Sequence, residues 1–118
     1  MLRVALLIAV VALAGPACAA EFDAGLASCP AFLASMNSAA QASDATDLVP
    51  YRQYLLGFET GYSWQAPAPY DVFAVLGDPP IDKALDAIAA WCSGQEQASF
   101  ADGLKSMVRK MRTAAPPH

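Results

Sequence analysis

Two cysteines, Cys29 and Cys92, lying 63 positions apart behind an export signal, constrain this chain more than any other feature of its sequence. Residues 1–20 read as that signal: a basic start at Arg3, an apolar core over residues 4–14, a Gly15-Pro16 break, then Ala17, Cys18, Ala19 and Ala20. An apolar run of about 11 residues falls short of the roughly 20 that a membrane-spanning helix needs, so a cleavable peptide is expected rather than an anchor. Cys18 raises a second possibility, lipidation of the first mature residue. Gly15, Pro16 and Ala17 lack the branched apolar residue of a lipoprotein signal, whereas Ala17 and Ala19 form an A-x-A pair that discards Cys18 and sets cleavage after Ala19 or Ala20. In an oxidising compartment the two remaining thiols are expected to pair with each other. The loop they close is worth about 4 kcal/mol in the chain-entropy account, comparable to the net stability of a small domain.

The mature chain of about 98 residues suits one domain with a small core. Six basic residues stand against eleven acidic ones after residue 20, a net charge of −5 that argues against nucleic acid as a partner.

The apolar pattern is helical throughout, with little alternation at period two. Ser28 is placed as the N-cap of a first helix carrying Cys29, Phe32, Leu33 and Met36, and Pro30 is tolerated in its first turn because the missing donor has no helical partner there. A polar connection over residues 38–47 leads to Pro50, after which Tyr51, Tyr54, Leu55, Phe58 and Tyr62 mark a second helix. Two prolines in residues 65–69 open a loop, and residues 72–76 are either a short strand or a helical turn. Asp78 or the following prolines start a third helix with Ile81, Leu85, Ile88 and Cys92 on one face, ended by Gly94. A fourth helix is expected from about Ala98, with Phe100, Leu104, Met107, Val108 and Met111 inward and Lys105, Arg109, Lys110 and Arg112 outward. The expected fold is therefore all-α: a small single-domain bundle of about four helices over residues 21–112, stapled by one disulfide, with a loose tail over residues 113–118.

The chain offers little for catalysis. His118 is the only histidine, so Ser-His-Asp and Cys-His arrangements and His-based metal sites have nothing to build on, and no phosphate loop or dinucleotide fingerprint is present. Asp82 and Asp86 sit one turn apart, as paired catalytic carboxylates can, but an acidic helix start accounts for them. A non-enzyme with no metal and no cofactor is expected. Four basic residues crowd into positions 105–112, while Asp71, Asp78, Asp82 and Asp86 crowd into the preceding loop and helix; both groups read first as solvated helix faces and second as a docking patch.

Residues 51–64 are the most distinctive stretch. Gly57 and Gly61 each cost a helix about 0.8 to 1 kcal/mol against alanine, and their i, i+4 spacing suggests a face where another backbone, that of the first or third helix, comes close. Tyr51, Tyr54, Phe58, Tyr62 and Trp64 are read as core aromatics, with any that the small domain leaves uncovered forming a partner surface. Glu59 faces solvent or pairs with Arg52.

The run Ser28-Cys29-Pro30-Ala31-Phe32-Leu33, then Gly57-Phe58, then Cys92 followed by Ala98-Ser99-Phe100, Asp102 and Lys105, resembles the HdeA-like family of small periplasmic acid-stress chaperones, whose opening is Thr-Cys-x-x-Phe-Leu. The chain departs from that family in a longer segment between the cysteines and a proline-rich insert. The resemblance implies a disulfide-stapled helical domain, dimeric at neutral pH, that loosens in acid and shields unfolding clients. Charge is compatible with that: with carboxylates titrating near ~4, the mature chain swings from −5 to about +6 or +7 in strong acid and repels itself. A second reading, similar in outline to the small periplasmic immunity proteins that neutralise secreted cell-wall toxins, predicts one tight partner and a fold that persists in acid.

Overall fold

Ser28 starts the first helix as its sequence position requires. Its backbone is extended and its Oγ accepts the Ala31 N–H at 3.2 Å, with Pro30 in the first turn of α1 (Cys29–Ala42). The computed structural model describes residues 23–65 and 71–114; residues 1–22, which hold the expected signal, residues 66–70 and residues 115–118 lie outside them. The helix runs on through residues 38–42, which the sequence pattern had assigned to a connection. Ala39, Ala40 and Ala42 are strong helix formers, and the helix stops only at Ser43, whose φ of 52° is left-handed and whose N–H donates to the Ala39 carbonyl.

A 3₁₀ turn (Thr46–Leu48) buries Leu48 and delivers the chain to α2 (Val49–Gln65), where Pro50 occupies the first turn. Residues 72–76 form a helical turn, not a strand. The Asp71 carboxylate accepts the Phe73 N–H at 2.9 Å and its carbonyl accepts the Ala74 N–H at 3.2 Å, folding the chain into a 3₁₀ turn (Ala74–Leu76) beside a fully buried Phe73. Helix α3 (Pro80–Cys92) starts on the prolines, with Pro79 as cap, and buries Ala84, Leu85, Ile88 and Cys92 on one stripe while Ile81 is half-buried. Gly94, at φ 82°, then turns the chain in a conformation that L side chains rarely adopt.

Helix α4 (Phe100–Ala114) begins two residues later than expected, because Ser99 caps it. Ser99 Oγ accepts the Asp102 N–H at 3.2 Å and the Asp102 carboxylate accepts the Ser99 N–H at 3.0 Å, a reciprocal capping box. The starts of α1 and α4 are also joined by backbone: the Cys29 N–H donates to Ala98 at 2.9 Å and the Phe100 N–H to Ala27 at 2.8 Å. Cys29 and Cys92 form a disulfide with Cα atoms 5.1 Å apart, both buried. It ties the first residue of α1 to the last of α3, bringing a helix C-terminus to helix N-termini in the sense that dipoles favour.

The fold is all-α, four helices with no strand among the described residues. Its centre is Phe32 of α1, Tyr51 of α2 and Phe100 of α4, with ring centroids 4.8 to 4.9 Å apart and edge-on or tilted geometry. Burial pushes the Tyr51 phenol above its ordinary range, against a hydrogen bond with Ser35. Two glycines permit close packing: a Cβ on Gly103 of α4 would lie 2.8 Å from Ile88 of α3, and one on Gly25 would lie 2.7 Å from the Tyr54 ring. Among the described residues no helix is long and apolar enough to cross a membrane.

Candidate functional site

Helices α2 and α4 run side by side without closing on each other. At one end the Tyr54 and Phe100 rings pack edge to face with centroids 5.8 Å apart. At the other, Arg112 Nε donates to the Tyr62 hydroxyl at 3.3 Å and its guanidinium lies 5.5 Å from the Tyr62 ring centre. Because residue 54 is near 100 and residue 62 near 112, the two helices are parallel, and between these bridges lies an open groove of about 530 Å³.

Its walls repeat one pattern. Tyr54, Gly57, Phe58, Gly61, Tyr62 and Gln65 line one side, and Ala101, Leu104, Lys105, Val108, Arg109 and Arg112 the other, each set at i, i+3, i+4, i+7, i+8 and i+11. That spacing is one continuous face of an α-helix, about 16 Å long at 1.5 Å per residue. Leu104 and Val108 are buried at the base, and the Phe58 ring stacks at a tilt on Tyr62 and on Phe73 beneath it. Lys105, Arg109 and Arg112 stand exposed along the α4 edge. Among the described residues no carboxylate lines the groove, in a chain that is acidic as a whole.

The distinctive aromatic segment therefore divides. Tyr51 is core at 1% exposure; Tyr54, Phe58 and Tyr62 are half-buried on the groove wall; Trp64 is 86% exposed at its far end. Gly57 and Gly61 do not serve close helix packing as their spacing suggested: among the described residues nothing lies within 4 Å of a Cβ built on either. They instead leave a smooth, shallow stretch in the α2 wall. The close approaches belong to Gly25 and Gly103, whose isolated positions carried no pattern to read. The α4 wall was likewise absent from the sequence reading as a site, although its stripe of Leu104, Val108, Lys105 and Arg109 was visible as an amphipathic face.

Other carboxylates are engaged structurally. Asp82 of α3 pairs with Arg52 of α2, which directs Arg52 to α3 rather than to Glu59. Glu59 lies against Asp71: burial first, then the Asp71 charge and a hydrogen bond between the two carboxyls, raise its pKa above the ordinary value. Hydrogen bonds to Ser99 hold Asp102 below the usual carboxylate range, and hydrogen bonds from Thr46 do the same for Asp44. Among the described residues no cluster of three or more His, Cys, Asp or Glu side chains is placed to hold a metal ion. No family model, curated protein or solved structure matches the chain.

Proposed function

We propose that the protein is exported to the periplasm by cleavage of residues 1–20 and acts there without catalysis, as an acid-stress chaperone of the HdeA-like kind that shields unfolding polypeptides. The observation that carries this reading is the open groove lined by the half-buried rings of Tyr54, Phe58 and Tyr62, with Trp64 86% exposed near its end. Aromatic surface that a fold leaves partly uncovered supports a partner site. Acid sensitivity is supported by where the carboxylates sit. The Asp102 carboxylate accepts the Ser99 N–H in the box that starts α4, and the Asp44 carboxylate accepts the Thr46 N–H ahead of α2, so protonation removes a tie near the start of each groove helix. The disulfide keeps the helices joined while those ties are lost.

The immunity-type reading is favoured by a different observation, the one-signed row of cations beside the groove, since a surface that accepts any unfolding chain has no need of charge selectivity. A titration of the mature oxidised protein from pH 7 to 2, followed by near-UV circular dichroism with an acid-unfolded client enzyme in parallel, separates them. Loss of fixed packing below about pH 4 together with suppression of client aggregation is expected. A fold that persists to pH 2 and ignores the client refutes the chaperone reading.

A further inference from the structure

We propose that at neutral pH the groove between α2 and α4 receives an amphipathic helix of about three turns from a protein partner, with acidic residues along one flank of its apolar face. The inference rests on the groove being the binding surface, and adds the shape and charge of what fills it.

Three observations specify the occupant. The groove lies between parallel helices and is about 16 Å long, the length of some eleven helical residues, so a third helix laid along it meets both walls. Gly57 and Gly61, one turn apart with no described residue within 4 Å of a Cβ built on either, let a helix backbone approach α2 closely where larger side chains would hold it away. Lys105, Arg109 and Arg112 fall at i, i+4 and i+7 along α4, spreading their charges over about 10 Å. One carboxylate or phosphate cannot serve all three. A helix with Asp or Glu at the same spacing can, in the manner of flanking charges in coiled coils. Among the described residues neither wall carries a carboxylate, so a basic or neutral helix gains nothing from that row.

The partner's acidic side chains lose charge as the pH falls below about 4, so the occupant leaves the groove under the conditions in which an acid chaperone needs it vacant.

The test uses the mature oxidised protein and three labelled peptides of four turns, identical in apolar positions i, i+3, i+4 and i+7, with Glu, Gln or Lys on the flanks. Binding is followed by fluorescence anisotropy at pH 7. The Glu peptide is expected to bind at least about tenfold more tightly than the Gln peptide, to weaken as salt rises and to dissociate at pH 3. The double variant Lys105→Glu, Arg109→Glu alters two exposed side chains and is expected to invert the preference toward the Lys peptide. The double variant Gly57→Leu, Gly61→Leu fills open space with better helix formers and is expected to abolish binding while circular dichroism stays unchanged. Equal binding of all three peptides, or binding by a long-chain fatty acid as tight as by the Glu peptide, overturns the proposal. Failure of every peptide with client protection at pH 3 intact overturns this inference alone; loss of both overturns the groove as a binding surface.

Discussion

A Cβ added at Gly103 would sit 2.8 Å from Ile88 Cγ2 and 3.1 Å from Trp91 Cε3, whereas one added at Gly57 or Gly61 meets nothing within 4 Å among the described residues. All three glycines lie inside helices, so alanine gains about 0.8 to 1 kcal/mol of helix propensity at each. At Gly57 and Gly61 that gain stands unopposed. At Gly103 it is set against overpacking of about 1 to 3 kcal/mol, and the neighbour that must yield is a fully buried, β-branched isoleucine with little rotamer freedom. Gly103→Ala is therefore expected to lose about 1 kcal/mol net, while Gly57→Ala and Gly61→Ala each gain about 1. At about 4 to 8 °C per kcal/mol for a domain of this size, the two classes separate by about 8 to 16 °C in Tm. Thermal unfolding of the oxidised protein at pH 7, followed by far-UV circular dichroism, reads this directly. A Gly103→Ala variant as stable as the parent, or a Gly57→Ala variant less stable than it, refutes the assignment of close packing to α3 and α4 and of open space to the groove.

Replacing Cys29 or Cys92 with serine is expected to cost up to about 4 kcal/mol, and equal denaturation midpoints for variant and oxidised parent would contradict the role given to the disulfide. Ser99→Ala removes the acceptor that caps α4 and is expected to cost about 1 kcal/mol in urea unfolding at pH 7. Asp102 has a lowered folded pKa, so its contribution is present above the unfolded value and lost as pH falls through the folded one; Asp102→Asn should accordingly flatten the acid limb of the stability profile. Glu59 has the opposite sign. Its raised folded pKa gives stability below the unfolded value that is lost as pH rises, so Glu59→Gln should stabilise at pH 7 and leave stability unchanged at pH 3, as urea midpoints at the two pH values will report.

Helix positions were legible because caps and apolar spacing agreed at α1, α3 and α4: Ser28, the prolines before Ile81, and the stripe from Phe100 to Val108 each act locally. The pairing of Cys29 with Cys92 was legible from their being the two cysteines that follow the expected signal. The extension of α1 through residues 38–42 was missed because only Ala39 packs against the core there, and the exposed Ser38, Ala40, Gln41 and Ala42 leave no apolar stripe. The turn at Phe73 was ambiguous because a five-residue apolar run has no period, and the Asp71 side chain decides it. For the site, sequence singled out the α2 wall by its aromatics but could not pair it with α4, since that pairing depends on how both helices sit against α3 and the buried Phe32–Tyr51–Phe100 cluster. The glycine pair was misread for a related reason: a gap in a helix face looks the same in sequence whether another helix fills it or solvent does.

The most direct test of the central claim is light scattering by an acid-unfolded client enzyme at pH 3, with the mature oxidised protein and with its Gly57→Leu, Gly61→Leu variant. The account predicts suppression by the parent and none by the groove-filled variant at equal helix content. Equal suppression by both would place client binding elsewhere on the molecule, and suppression by neither would remove the chaperone function itself.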